Sequence, residues 1–233
     1  MYAYVTVCLV VSLIYTANVS GLPPVLIVDD INLQPASSNP ASLTQVNNTC
    51  FFSAYTAPYG CEIWKTDGSE AGTALVADLV PEPDSSNCSG FTRLDGQLLF
   101  FVLDGPQSGL WESNGLTEGT LRLIPGEQLW QEVESRFAPA ITVMGDKVLF
   151  FSYKAVDGQP HSCLWTTNGT VAGTKMLKEF AFGSPTALGV FRSQAYFALP
   201  NESGKMTVWG FQGQTTEFRT SIRTRAEVRY RIP

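Results

Sequence analysis

Cys61-Glu62-Ile63-Trp64-Lys65-Thr66-Asp67-Gly68-Ser69-Glu70-Ala71-Gly72-Thr73 is the stretch whose pattern the rest of the chain repeats. Glu62 to Thr66 alternates polar and apolar side chains, which predicts a strand with one buried face. Asp67-Gly68 accepts the positive φ of a tight turn. Gly72-Thr73 then reopens an extended aliphatic run, Ala74-Leu75-Val76-Ala77-Asp78-Leu79, which predicts a second strand. A strand, a turn and a strand make half of a four-stranded blade.

The phrase returns at Leu110-Trp111-Glu112-Ser113-Asn114-Gly115, closed by Gly119-Thr120, and at Leu164-Trp165-Thr166-Thr167-Asn168-Gly169, closed by Gly173-Thr174. A fourth copy, Val208-Trp209-Gly210-Phe211-Gln212-Gly213, keeps the tryptophan and loses most of the turn. Upstream of each copy lies a second phrase: Leu43-Thr44 before Phe51-Phe52, Phe91-Thr92 before Phe100-Phe101, Ile141-Thr142 before Phe150-Phe151, and Leu188-Gly189 before Tyr196-Phe197. These starts lie 48, 50 and 47 residues apart. Self-similarity at such a period is the mark of a repeat architecture.

The repeated phrase resembles the ELWxxDGT repeat, whose copies read leucine-tryptophan, two variable residues, Asp-Gly-Thr and then Gly-Thr. The resemblance covers nearly all of residues 25 to 220; Asn114 and Asn168 replace the aspartate, and Leu116 departs from the usual threonine. It implies repeated β-sheet units of propeller type and implies no activity.

Four short strands are expected in each unit, with Asn47-Asn48, Asp95-Gly96 and Gly145-Asp146 turning between the first two. The expected fold is all-β and β-propeller-like: about four blades of antiparallel four-stranded sheets, closed or open, behind a short N-terminal signal helix. The units fall near 43–90, 91–140, 141–187 and 188–220 of a repeat domain spanning 22–220. Residues Ile27 to Thr44 align with Leu75 to Thr92 without a gap, setting Ser37-Ser38-Asn39 on Ser85-Ser86-Asn87. The segment 25–31 therefore reads as the last strand of a blade, available to close a ring. One helix is expected from Glu127 to Phe137, because Leu129, Val133 and Phe137 share a helical face before Pro139.

Residues 1–21 read as a signal peptide: no charged side chain precedes Ala17, and Val5 to Ile14 is apolar but too short to span a membrane. No later run is long and apolar enough to do so. The net charge is −6 and is unevenly spread. Residues 217–233 hold five arginines and two glutamates, so 221–233 reads as a basic tail or edge strand, and the acidic remainder disfavours nucleic acid as a partner.

With Cys8 removed in the signal, Cys50, Cys61, Cys88 and Cys163 remain, and four cysteines permit three pairings in an oxidising compartment. Cys50 with Cys61 is the expected pair, because they flank a hairpin around Ala54 to Gly60; Cys88 with Cys163 follows by elimination. Asn47, Asn87, Asn168 and Asn201 head sequons at expected turns and connections.

His161 is the chain's one imidazole, in a segment that reads as an exposed loop, and neither a nucleophile elbow nor a CxxC is present. The recurring residues Trp64, Trp111, Trp165 and Trp209, with Asp67-Gly68, Asn114-Gly115 and Asn168-Gly169, are assigned to packing and turn-making, since chemistry needs a group once rather than in every unit. No catalytic residue, metal ligand or cofactor is assigned, with calcium at the Asp67-type turns the lesser alternative. Tyr55, Tyr59, Trp130 and Tyr153, in segments where units differ, are the candidate binding side chains. The expectation is a secreted, non-enzymatic repeat protein that binds an extracellular protein or carbohydrate, in an oligomeric state the sequence leaves open. The alternatives are a glycan hydrolase with carboxylates gathered on one face, and a truncated repeat fragment.

Overall fold

The computed structural model describes residues 29, 31–32, 37–81, 84–131, 139–181, 183–200, 204–212 and 219–220. The signal peptide, most of the segment 25–31, Asn201 and the basic tail lie outside them.

Four antiparallel sheets follow one another along the chain. The first runs β1 (Ala41–Val46), β2 (Thr49–Thr56), β3 (Gly60–Thr66), β4 (Ala74–Ala77). The second runs β5 (Ser89–Leu94), β6 (Gln97–Val102), β7 (Gly109–Ser113), β8 (Thr120–Pro125). After a one-turn helix α1 (Gly126–Leu129) and a short strand β9 (Trp130–Gln131), the third runs β10 (Ile141–Met144), β11 (Lys147–Val156), β12 (Gln159–Thr167), β13 (Lys175–Ala181). The fourth runs β14 (Ala187–Phe191), β15 (Gln194–Pro200), β16 (Met206–Phe211), β17 (Arg219–Thr220). Each sheet is built on a four-stranded antiparallel meander in chain order, with β9 added to the third in parallel to β11, the β-propeller-like arrangement that the repeat spacing predicts.

The first hairpin of each sheet closes over two residues, and the first of the two has positive φ at Asn47, Asp95, Gly145 and Arg192. Arg192-Ser193 makes this turn without any glycine or asparagine, which is why the sequence does not announce it. The helix expected from Glu127 stops at Leu129. Trp130 and Gln131 instead pair in parallel with Tyr153 and Lys154 along β11, and the rest of the expected helix, with Val133 and Phe137, lies outside the described residues.

The described residues form two compact units, the first holding the first two sheets and the second the last two. In the first unit, Val46, Phe51 and Ile63 from the face of the first sheet opposite Trp64 pack against Leu98, Phe100, Val102 and Trp111 of the second sheet. In the second unit the same rule holds: Leu149, Phe151, Leu164 and Phe180 receive Phe197 and Trp209. The aromatic contacts there are edge-on, with Phe180 centred 5.3 Å from Trp209 and 5.5 Å from Phe197. The tryptophans at 64, 111 and 165 are buried and Trp209 is partly so, each opposite a phenylalanine on the neighbouring strand: Phe52, Phe100, Phe150 and Phe197.

Burial on both faces changes the pattern along the strands. Phe51, Phe52, Ser53 and Ala54 are all buried, as are Leu98 to Val102 and Val148 to Tyr153. Among the second strands of the four sheets β15 differs by alternating, with Ala195, Phe197 and Leu199 buried and Gln194, Tyr196, Ala198 and Pro200 half-buried. Phe191 occupies the hairpin position of buried Val46, Leu94 and Met144, yet is 61% exposed.

The gapless alignment of 27–44 with 75–92 has a structural counterpart. The Ser38 carbonyl accepts from the Tyr55 amide (2.7 Å) as the Ser86 carbonyl does from Leu103 (3.0 Å). Asn39 and Asn87 both have positive φ, as do Ser42 and Gly90, and both following strands carry the same register shift. Asp29, Ile31 and Asn32 are in no strand, and Ile31 packs against Phe52, Ala54 and Trp64.

Candidate functional site

The turn after each tryptophan strand is explained by local chemistry. Asp67 Oδ1 accepts from the Ser69 amide (2.9 Å) and the Ser69 hydroxyl (2.6 Å), and Asn114 Oδ1 accepts from the Leu116 amide (2.9 Å). Those hydrogen bonds, with Ser69 the main partner, hold the Asp67 carboxyl below its usual range. The residue before it binds across the loop: the Thr66 and Thr73 hydroxyls lie 2.8 Å apart, Ser113 and Thr120 2.8 Å, Thr167 and Thr174 2.7 Å. The turn glycines have φ of 93° at Gly68, 89° at Gly115 and 84° at Gly169. The closing glycines are fixed by close approach: a Cβ on Gly72 or Gly119 would meet Asp67 Oδ1 at 2.0 Å or Asn114 Oδ1 at 2.1 Å. Where Leu116 stands in the place of Ser69, the loop tightens into a 3₁₀ turn, with the Gly119 amide donating to the Leu116 carbonyl (3.1 Å). This accounts for why the phrase recurs, and it turns the aspartate or asparagine oxygen inward to the loop amides.

The glutamate of the quoted stretch is not on a wet face. Glu62 is fully buried, contrary to the one-sided alternation expected of its strand, because both faces of β3 are covered. Its carboxylate accepts from the Leu79 and Ser86 amides, each at 3.1 Å. Burial pushes the carboxyl up to about 7, against the lowering effect of the hydrogen bonds from Ser86 and Leu79, and nearby Asp78 adds repulsion. The other copies place Gly109, Cys163 and Thr207 here, so nothing in the recurring pattern marks the acid.

A second cluster of titratable groups lies in the third sheet. Glu179 bridges Lys154 Nζ (2.6 Å) and His161 Nδ1 (2.5 Å), and Lys154 lies directly across from His161. His161 thus belongs to β12 and is largely buried, which corrects its reading as an exposed loop residue. Cys163 is opposite Glu179; burial, then repulsion from Glu179, pushes its thiol up to about 11, so it is no activated nucleophile.

The four candidate binding aromatics separate into two kinds. Tyr55 and Tyr59 are each 37% exposed beside the β2–β3 turn. That turn is fixed by the Tyr55 amide on Ser38, the Tyr59 amide on the Thr56 carbonyl (3.2 Å), and Gly60, whose Cβ would sit 2.2 Å from the Asp84 carbonyl oxygen. Trp130 and Tyr153 pair on β9 and β11 and are buried, so they are core residues rather than a binding rim.

The expected cysteine pair is also corrected. Cys50 lies opposite Thr66 and Cys61 opposite Tyr55, because β2 and β3 run on to Thr56 and Gly60. Five residues of extended strand, about 16 Å, separate Cys50 from the position facing Cys61. Cys50, Cys61, Cys88 and Cys163 are all free thiols, Cys88 and Cys163 buried. Of the sequon asparagines, Asn47, Asn87 and Asn168 are exposed; the Asn47 amide donates to the Gly96 carbonyl (3.3 Å), and that of Asn87 to Asp104.

The chain matches no protein-family model and no curated protein. It is similar in structure to a puromycin-hydrolysing peptidase of Mycobacterium tuberculosis, at 10% identity and a TM-score of 0.47, over 77% of this chain and 29% of that one. The tricorn protease is similar at 12% identity and a TM-score of 0.38, over 73% and 16%. An α-L-arabinofuranosidase of Clostridium thermocellum is similar at 10% identity and a TM-score of 0.33, over 79% and 71%. The chain thus spans less than a third of either peptidase.

Proposed function

We propose that this is a secreted, non-enzymatic repeat protein of the ELWxxDGT type, which binds an extracellular protein or carbohydrate through the β2–β3 end of its first sheet. The observation that carries this reading is the pair Tyr55 and Tyr59, partly exposed on a turn held by its own backbone bonds and by the Ser38 and Asp84 segments. Rigid amphipathic rings give contact area with little entropy to lose, which suits recognition of protein or sugar surfaces.

The hydrolase alternative draws on Glu62, whose carboxyl titrates near neutrality beside Asp78, as a general acid does. Glu62 has no exposed surface, however, and both its oxygens accept backbone amides. Its chemistry supports holding the loop from Leu79 to Ser86.

A glycan array and a panel of extracellular proteins, probed with the intact chain and with the double variant Tyr55→Ala/Tyr59→Ala, test the reading. The expected outcome is a ligand whose binding weakens at least about tenfold in the double variant, with the thermal midpoint unchanged. Binding that survives the double variant, or release of cleaved sugar by the intact chain, overturns it.

A further inference from the structure

Cys61 and Cys88 stand on either side of one serine. The Ser86 hydroxyl donates to the Cys61 carbonyl (2.9 Å) and lies 3.0 Å from Cys88 Sγ. The Ser86 amide also donates to the Cys61 carbonyl (3.1 Å), and the Cys61 amide donates to Ser85 Oγ (2.9 Å). The loop carrying Cys88 is therefore laid against the start of β3, and Cys88 Sγ lies within about 6 Å of the Cys61 carbonyl oxygen, the reach of two hydrogen bonds end to end.

The side chains also share a face. Cys61 alternates with Glu62 along β3 and lies on the side of Ile63, and Ile63 and Cys88 belong to one apolar cluster. The other tryptophan strands show where that position points. Ser108, which corresponds to Cys61, approaches Gly126 just after β8, and Ser162 donates to the Gly183 carbonyl after β13. In each case the residue two before the leucine or isoleucine of the phrase reaches for the loop that follows the fourth strand. In the first sheet that loop carries Cys88.

We propose that Cys61 and Cys88 are a disulfide-forming pair, a covalent staple between the start of β3 and the loop leading to the second sheet. The two thiols lose two protons and two electrons. The oxidant is a small-molecule disulfide of the oxidised-glutathione class: a thiolate attacks it, one thiol leaves, and the second cysteine displaces the other thiol from the mixed disulfide. The bond replaces the contact between the Ser86 hydroxyl and Cys88 Sγ. Cys88 is buried and its thiol is pushed well up by that burial, so exchange runs during folding, before the loop closes over it. This inference stands apart from the binding reading.

The test is refolding of the reduced full-length chain in a buffer of oxidised and reduced glutathione, followed by alkylation and peptide mapping without reductant. The expected result is a linked peptide joining Cys61 to Cys88, a mass lower by two hydrogens, and Cys8, Cys50 and Cys163 alkylated. Cys50→Ser retains the linked peptide, whereas Cys61→Ser and Cys88→Ser each lose it. The oxidised chain melts roughly 10 °C above the reduced one, the rise expected for a closed loop of this length. Alkylation of both Cys61 and Cys88 in the refolded wild-type chain, or a linked peptide containing Cys50 or Cys163, overturns the proposal.

Discussion

The Asn114 amide oxygen and the Gly119 Cα share one small space, so their substitutions interact. Asn114→Ala loses an amide-capping bond and costs about 1 kcal/mol; Gly119→Ala drives the asparagine out of its turn and costs about 1–2 kcal/mol. Combined, they cost less than their sum, because the first change removes the obstacle for the second; urea denaturation of the double-mutant cycle reads the difference. Glu62 sets a pH dependence. Its carboxyl is raised in the folded chain from an ordinary 4.5 to about 7, so its protonated form favours folding. That stability is fully present below about pH 4.5 and is lost as pH rises through about 7, by up to about 3 kcal/mol. Denaturation midpoints measured from pH 5 to 8 should fall in the wild type and fall less steeply in Glu62→Gln, whose amide does not titrate. A steeper fall in the variant would refute this assignment. The Asp67-type turns were legible from sequence because their atoms are neighbours in the chain: an Asx oxygen, a positive-φ glycine and a Gly-Thr closure within a few residues. Glu62 was not, because polar-apolar alternation predicts a wet face, and only the covering of both faces of β3 shows that there is none.

At the scale of strands and sheets, the tryptophans differ in what the indole nitrogen finds. Trp111 Nε1 donates to the Gln107 carbonyl (2.9 Å) and Trp165 Nε1 to Ser152 Oγ (2.8 Å), whereas Trp64 Nε1 is buried without a hydrogen-bond partner. Replacing each by phenylalanine removes similar volume. Trp111→Phe should therefore cost about 1 kcal/mol more than Trp64→Phe, since it also strands a carbonyl; equal losses in chemical denaturation would argue that the Gln107 bond contributes nothing. The strand β15 offers a second contrast. Phe197→Ala should destabilise by about 3–5 kcal/mol and Tyr196→Ala by under about 1 kcal/mol, although they are adjacent, while in β2 both Phe51→Ala and Phe52→Ala should fall in the larger class. The paired aromatics, the tryptophan strands and three of the four first-hairpin turns were legible. The Arg192-Ser193 turn was not, since neither residue prefers positive φ. Nor was the inward place of Trp130 and Tyr153, because nothing in an irregular stretch signals a parallel pairing with β11. The expected cysteine pairing fails for a related reason: strands that continue to Thr56 and Gly60 carry Cys50 away from Cys61.

At the scale of the whole chain, the repeat was plain from the sequence, because each unit buries its tryptophan sheet against another element and therefore keeps that tryptophan. The proposed ligand is not written in that repeat, since residues used in every unit are occupied with packing and turn-making. Ser38 and Ser86 each offer a carbonyl to an amide at or just past the end of the second strand of the following sheet, Tyr55 and Leu103, and each precedes a positive-φ asparagine. The seam between modules consequently lies inside a loop of fixed conformation rather than between two sheets. A gene joined from codon 38 directly to codon 87 would excise one complete sheet and leave no scar, with Ser38 offering its carbonyl to Leu103 and Ile31 standing where Leu79 stood. Such a shortened chain should keep the wild-type circular dichroism per residue. A seam of this kind lets copying errors in the gene add or drop whole sheets while the reading frame of the fold stays intact.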